Sequence, residues 1–282
     1  MRLQFFREVG ENVMELTKKL AEFVHNTNFH DISQDVIEKS KHSILDWLGS
    51  TLGGINDDAS RIIIEYVKEF GGKRQATVIG TDIKTDLEHA ALANGVISHA
   101  LDFDDYHSKT VIHATAACLP AILSVAEDRR LCGADILTAF VLAIEISIRL
   151  GLGLTSAHYE RGWHSTSTAG RFGATAGVAK LLKLDTDTII NAFGICGTQA
   201  SGVRQVFGTM SKPFNAGKSS MDGVISALLA QKGFTSSKDI IEGKLGFFEV
   251  FTDDPDTDAV LKGLGSKYYI SDLSFKPYPT CA

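Results

Sequence analysis

Apolar and polar positions follow a helical period over most of the chain. In MELTKKLAEFVHNT, the apolar residues Leu16, Leu20 and Phe23 fall on one face because helical side chains three to four positions apart share a face. The stretch 33–54, SQDVIEKSKHSILDWLGSTLGG, begins with a serine suited to capping and ends at Gly-Gly. The stretch 57–72, DDASRIIIEYVKEFGG, repeats this arrangement. These signals predict three helices in succession.

The middle of the chain continues the helical pattern, interrupted by one β signal. QATVIGTDIKT predicts a short strand pair joined by a turn, and DLEHAALANGVISHALDF returns to helix. Because no linker or internal repeat separates the elements, they predict one all-α, bundle-like domain with a minor short β hairpin. Further helices are predicted at 114–127, 134–151, 166–183, 186–200 and 216–232.

The last part of the chain lacks the helical pattern of apolar residues. Loop signals and prolines replace the helical pattern there, with a short strand predicted at 268–270. We therefore assign residues 1–265 to the helical domain and 266–282 to the start of a transition into a further domain.

Composition narrows the class of protein. The 34 acidic and 28 basic side chains give a net charge of −6 without a run of five like charges, which argues against a nucleic-acid partner. From the sequence, no apolar run is expected to reach the length needed to cross a bilayer, so no membrane partner is expected. The four cysteines lie far apart without metal-binding spacing, which favours reduced thiols in the core of a cytoplasmic protein.

Titratable side chains concentrate in the stretch HALDFDDYHSKTVIH. Its three aspartates, beginning with Asp102, come at the end of a predicted helix. The dipole at a helix C-terminus disfavours negative charge by about 0.3–1 kcal/mol per group, so we expect partners or a function that compensates. A carboxylate beside His107 or His113 would hold that imidazole in one tautomer and raise its basicity.

Three residues able to carry positive charge stand just ahead of predicted helices. They are His113, His164 and Lys212, and the proline after the lysine biases it away from helical geometry. One of the hydroxyl residues 165–167 would cap the second helix, and Asn215 would cap the third. Helix N-termini bind anions because they present free N–H groups and the positive end of the dipole. If the three ends converge, the cavity suits a substrate with two or three carboxylates.

The aspartate cluster has other interpretations. Residues 102–105 offer hard oxygen ligands for Mg²⁺, which keeps a Mg²⁺-dependent enzyme as an alternative. A prenyl-synthase-type motif would need acids along one helical face and a second acidic cluster, which the sequence lacks, so no metal is predicted. The cluster could instead be a solvated turn, with the histidines as ordinary polar residues.

Four segments together resemble the MmgE/PrpD family in order and spacing, from about residue 12 onward. They are ANGVISHALDFDDYH, VIHATAACLPAILSVAE, HYERGWHSTSTAGRFGATAGVAKLLKLD and FGTMSKPFNAGKSSMDGVISALLAQKGFTSS. The family includes 2-methylcitrate dehydratases, cis-aconitate decarboxylases and iminodisuccinate epimerases. The resemblance implies a helical main domain with a smaller α/β lid, a homodimer, and no metal or organic cofactor.

The resemblance also implies which residues form the site. Asp102, His113, His164 and Lys212 match the family's catalytic positions, and Tyr159 resembles the tyrosine of the epimerase branch. We expect four further side chains to contact substrate: Tyr106, His107, Ser165 and Asn215.

The sequence departs from the family pattern at some of these positions. Tyr106 replaces a common threonine, Ala114 a frequent proline, and Asn215 a usual histidine. Each change could alter specificity without changing the fold.

These features predict a cofactor-independent lyase or isomerase that acts on a di- or tricarboxylate. Dehydration, epimerisation and decarboxylation all build charge on a carbon next to a carboxylate, which cationic groups stabilise. Family members are longer, so we expect this chain to represent the main domain alone. The alternative is an inactive truncated scaffold, or a split subunit that pairs with a separate lid chain.

Overall fold

The computed structural model describes residues 15–280, and helices dominate it. The predicted all-α class with a minor β hairpin is confirmed. Within these residues the helices are α1 (Leu16–Asn26), α2 (Gln34–Gly54), α3 (Asp58–Phe70), α4 (Leu87–His99), α5 (Ala114–Arg129), α6 (Gly133–Glu160), α7 (Ser165–Thr168), α8 (Gly170–Leu181), α9 (Thr186–Gly197), α10 (Ser211–Gln231), α11 (Phe247–Phe251) and α12 (Thr257–Leu261).

Two short antiparallel strand pairs accompany the helices. The predicted hairpin is confirmed as β1 (Ala76–Thr77) paired with β2 (Lys84–Thr85). In the second pair, β3 (Tyr106–His107) lies against β4 (Leu273–Ser274), with Tyr106 opposite Ser274. This pair attaches the C-terminal segment to the stretch that carries the aspartates.

The strand predicted at 268–270 is wrong. A 3₁₀ turn, Tyr269–Asp272, occupies most of this stretch. The backbone N–H of Tyr269 donates to the buried carboxylate of Glu145 at 2.7 Å instead of to a neighbouring strand. The strand begins only after this turn, at Leu273.

The start of α10 also corrects the sequence interpretation. The helix begins at Ser211, so Lys212 lies in its first turn, and Asn215 is its fifth residue and not its cap. A proline is tolerated at position 213 because the first backbone N–H groups of a helix lack intrahelical acceptors. At α7 the N-cap position belongs to His164 and not to residues 165–167, and its side chain makes no capping hydrogen bond.

Helix α6 is the apolar centre of the protein and runs to Glu160, beyond its predicted end at residue 151. By length and composition it could cross a membrane, so the expectation that no segment is long enough is wrong. However, 83% of its most apolar window is buried inside the protein, as expected of a core helix. It packs against α8, whose residues are almost all buried.

The cysteines divide between core and surface. Cys118 and Cys196 are buried, as predicted, and burial raises the pKa of each thiol to about 12. Cys132 is exposed, so its expected core position is wrong. Cys281 lies outside the described residues.

A pair of glycines lets α4 and α10 pack closely. A Cβ atom on Gly95 would lie 2.6 Å from the Cα atom of Gly217, closer than any side chain tolerates. His99 lies one turn after Gly95, and Lys212 lies somewhat more than one turn before Gly217. The close approach therefore brings these two side chains to the same end of the helix pair.

Candidate active site

A cavity of about 390 Å³ opens where α4 ends and α10 begins. His99, Asp102, Phe207 and Lys212 line it, and the N-terminus of α3 forms part of its wall. The cavity is therefore lined in part by His99 and Asp102 of the titratable stretch HALDFDDYHSKTVIH.

Asp102 is the point at which the charged side chains meet. Its backbone has φ +51°, in the left-handed region that aspartate tolerates better than most residues. Its carboxylate bonds to the Nζ atoms of Lys212 and Lys276, the latter at 3.0 Å, and lies 3.7 Å from Nε2 of His113. Burial favours a raised pKa for Asp102, but His99, His113 and Lys212 outweigh it and lower the pKa. These partners compensate for its place at a helix C-terminus.

Asp104 joins two imidazoles beneath the cavity. Its side chain is fully buried, with Oδ1 2.8 Å from Nδ1 of His99 and Oδ2 3.1 Å from Nδ1 of His113. Burial alone would raise the pKa of Asp104, but the two neighbouring imidazoles hold it well below its usual range. Asp104 is therefore an ionised carboxylate inside the protein.

His113 is positioned by a tight turn just before α5. Its backbone N–H donates to Oγ1 of Thr166 at 3.0 Å, and Val111 in the preceding turn has φ +55°. The ring centroid lies 4.6 Å from that of His99. Burial lowers the pKa of His113 even though Asp104 opposes the shift.

His164 completes the group of imidazoles from the start of α7. Its ring is stacked on that of His99 at 6.5 Å and meets the ring of Phe207 edge-on at 4.9 Å. Nδ1 of His164 lies 3.1 Å from the amide nitrogen of Asn215. Burial, assisted by His99, His113 and Lys212, places the pKa of His164 well below its usual value.

The structure brings together the three groups expected to converge. Lys212 bonds to Asp102, His113 lies beside the same carboxylate, and His164 stacks on the neighbouring imidazole of His99. The charge distribution differs from the expectation, however, because the lowered pKa values leave His113 and His164 neutral near pH 7. Lys212 and Lys276 supply positive charge to the site instead.

Tyr106, Ser165 and Asn215 lie next to this group. The ring of Tyr106 is 6.2 Å from the ring of His113 and 5.7 Å from Nζ of Lys276. Ser165 is buried directly after His164, at the start of α7. The positions of Tyr106 and Ser165 are compatible with the substrate contact predicted for each of them.

Tyr159 and His107 make contacts other than those that join the group around Asp102. The guanidinium of Arg204 lies over the ring of Tyr159 at 3.6 Å. His107 is buried with Nδ1 2.9 Å from Oγ1 of Thr110 and its ring edge-on to Tyr269, and burial lowers its pKa to about 4. None of these contacts joins either residue to the group around Asp102, so their roles stay predictions.

Sequence reasoning missed three residues of the site: His99 and Phe207, which line the cavity, and Lys276, which bonds to Asp102. His99 lies in the conspicuous acidic stretch, five positions before Asp104, but helical spacing by itself gives no reason to pair them. Lys276 lies in a proline-rich tail without periodicity, and Phe207 in a short turn, so neither carried a local signal.

By distance alone, the acidic and imidazole groups could surround a cation. Ligand atoms of His99, Asp102, Asp104 and His113 all lie within 4.8 Å of one another. The carboxylate of Asp102, however, already bonds to two ammonium groups, whose charge opposes a divalent cation. We therefore assign no metal here.

Comparison with known proteins identifies the family of the chain. The sequence profile of the MmgE/PrpD N-terminal domain matches residues 18–259. The chain belongs to the MmgE/PrpD family. Its catalytic candidates Asp102, His113, His164 and Lys212 all fall inside the matched part, whereas Lys276 lies beyond it.

Curated relatives of this MmgE/PrpD chain include two fungal proteins and one human protein. A cis-aconitate decarboxylase of Aspergillus terreus is 28% identical over 94% of this chain and 57% of its own length. The human cis-aconitate decarboxylase is 29% identical over 94% of this chain and 56% of its own. The cis-aconitate decarboxylase-like protein oryM of Aspergillus oryzae is 30% identical over 84% of this chain and 51% of its own length. The chain spans about half the length of the curated relatives it matches.

Proposed function

We propose that this chain forms the helical part of a cofactor-independent lyase that acts on a di- or tricarboxylate. One observation carries the proposal: two lysine ammonium groups and three imidazoles are grouped around Asp102 and Asp104, next to a cavity that His99, Asp102 and Lys212 line. Decarboxylation of cis-aconitate is the first candidate reaction, because the relatives named above carry that activity in their names.

The lysines account for substrate binding and charge stabilisation. Lys212 and Lys276 approach the same carboxylate from two different elements, so substrate carboxylates near them would meet concentrated positive charge. When the C–C bond to the departing carboxylate breaks, CO₂ leaves and the electron pair stays on the carbon and its conjugated carboxylates. Positive groups stabilise this charge more than the ground state, which is what accelerates a reaction.

The imidazoles account for proton transfer. After CO₂ departs, the carbanionic carbon takes up a proton, and His113 and His164 are the candidates for supplying or relaying it. Both are buried and neutral near pH 7, so each carries one proton and one lone pair. Asp102 holds the two lysines in place, and we assign it this positioning role in addition to its contact with His113.

The same groups would also serve dehydration or epimerisation, which begin with removal of a proton next to a carboxylate. A second candidate is a half-site that needs a complementary chain, since about half of each relative's length has no counterpart here. We also propose that the protein is a cytoplasmic homodimer, and that a separate lid subunit is the complementary chain in the second candidate.

Product analysis of the purified chain tests the proposal. The chain is incubated with cis-aconitate, 2-methylcitrate or iminodisuccinate, alone and together with the C-terminal half of a relative, and products are followed by NMR. We expect CO₂ release from cis-aconitate in at least one arm, unchanged by chelator. Loss of activity in Lys212→Ala but not in Lys232→Ala, an exposed lysine at the opposite end of α10, supports the assignment. If no arm gives turnover and no tricarboxylate binds, the proposal is rejected.

A further inference from the structure

We propose that Asp104 is a positioning residue that keeps a proton on Nδ1 of both His99 and His113, leaving both Nε2 atoms as proton acceptors. The amide of Asn215 sets the opposite tautomer on His164. The catalytic use of these tautomers rests on the proposed function, whereas the tautomers themselves do not.

The carboxylate of Asp104 is the hydrogen-bond acceptor for both imidazoles. Each carboxylate oxygen of Asp104 faces one Nδ1 atom, at 2.8 Å for His99 and 3.1 Å for His113. An ionised carboxylate accepts hydrogen bonds and donates none, so both imidazoles must donate from Nδ1. A neutral imidazole has a single ring proton, and its Nε2 atom then carries a lone pair.

The surroundings of the two Nε2 atoms agree with this assignment. Nε2 of His113 lies 3.7 Å from Oδ1 of Asp102, which is too long for a hydrogen bond. Nε2 of His99 is buried and has no hydrogen-bond partner among residues 15–280. A proton on Nε2 of His99 would therefore be a buried donor without an acceptor, which is costly. A proton on Nε2 of His113 would be too far from the carboxylate of Asp102 to be donated to it.

His164 has a different partner. The side-chain nitrogen of Asn215 lies 3.1 Å from Nδ1 of His164. With the amide in this orientation it donates, so Nδ1 accepts and the ring proton lies on Nε2. The three neighbouring imidazoles thus hold two proton acceptors and one proton donor.

This arrangement separates acid from base before substrate arrives. His99 lines the cavity and lies between the other two rings, with centroid distances of 4.6 Å to His113 and 6.5 Å to His164. A reaction that returns a proton to carbon needs a donor of defined tautomer, and His164 is the ring that provides it. His99 and His113 can take up a proton from solvent or substrate.

The tautomers can be measured directly without a substrate. Long-range ¹H–¹⁵N correlation spectra of the chain with ¹⁵N-labelled histidine, at about pH 8, distinguish protonated from unprotonated ring nitrogens. Each signal is assigned by its loss in the corresponding His→Gln variant. We expect Nδ1–H on His99 and His113 and Nε2–H on His164. A proton on Nε2 of His99 or His113 in the unmodified chain would overturn the proposal.

Asp104→Asn tests the positioning role. A neutral amide offers one acceptor and one donor group, so at most one of the two rings can keep its bonded Nδ1–H, and the other should change tautomer. Asp105→Asn is the matched control, because Asp105 is equally buried and bonds to Thr115 instead of an imidazole. Spectra that change in Asp105→Asn but not in Asp104→Asn contradict the proposal.

A second variant covers the case in which Asp104→Asn does not fold. Asn215→Asp replaces the amide donor by an acceptor and should move the proton of His164 to Nδ1. His99 and His113 should stay unchanged. An unchanged His164 would contradict the assignment for Asn215. In each variant an inactive chain with the expected tautomers counts against the proposed function and not against the positioning role.

Discussion

Nζ of Lys276 lies 3.0 Å from Oδ1 of Asp102 and 2.7 Å from its backbone oxygen, although 174 positions separate the two residues. The same ammonium donates to the backbone oxygen of Thr280 at 2.7 Å. Only 2% of the Lys276 side chain is exposed. The C-terminal segment therefore contributes a buried positive charge to a site otherwise formed by the helical body.

Replacing Lys276 by methionine should weaken binding of a tricarboxylate at least about tenfold, or about 1.4 kcal/mol. The variant loses one positive group and leaves the negative charge of Asp102 with one fewer partner. Isothermal titration with cis-aconitate measures the change. Lys262→Met, at an exposed position, is the control and should keep the dissociation constant. Equal affinities for the unmodified chain and Lys276→Met would show that Lys276 takes no part in binding.

Replacing His164 by glutamine should reduce turnover by about 10²-fold or more, because proton transfer by a positioned side chain contributes about this much. Folding should be preserved, which circular dichroism checks. His30→Gln changes an exposed histidine and should have normal turnover. Turnover of His164→Gln within a factor of two of the unmodified chain, about 0.4 kcal/mol, would reject the role.

Gly95→Ala should destabilise the protein by about 2 kcal/mol or more, because the new Cβ atom would meet the backbone of Gly217 at 2.6 Å. Gly49→Ala is a matched control in α2, where a Cβ atom meets nothing within 4 Å. This control should be neutral or stabilising by up to about 1 kcal/mol, since alanine favours helix over glycine. Chemical denaturation of both variants measures the difference, and equal effects would contradict the close helix contact.

Asp105 should make stability depend on pH. Burial raises the pKa of its carboxyl to about 8, whereas the unfolded chain would release this proton near pH 4. Between these values the folded state binds more protons, so the free energy of unfolding falls as pH rises, by about 1.4 kcal/mol per pH unit.

Asp105→Asn removes this contribution. From about pH 6 to 8, the free energy of unfolding of the variant should rise relative to that of the unmodified chain. Urea denaturation at several pH values measures both curves. Parallel curves would mean that the carboxyl of Asp105 titrates alike in the folded and unfolded states.

Much of the fold was predictable because it depends on local periodicity. The period of apolar residues in MELTKKLAEFVHNT and the turn in QATVIGTDIKT predicted α1 and the β1–β2 hairpin correctly. The start of α10 was predicted late because a proline was taken to exclude helix before it, whereas the first turn of a helix accepts proline. Local signals were weakest where a helix begins or ends.

The sequence by itself determined the helical class and the group formed by Asp102, His113, His164 and Lys212. It could do so because helical period and capping signals act over a few residues, and because the segments that carry these residues resemble the family's motifs. Only the tertiary structure brought Lys276 to Asp102 and joined His99 to His113 through Asp104. Those contacts depend on how α4, α10 and the C-terminal segment pack against each other, and no local spacing in the chain encodes that packing.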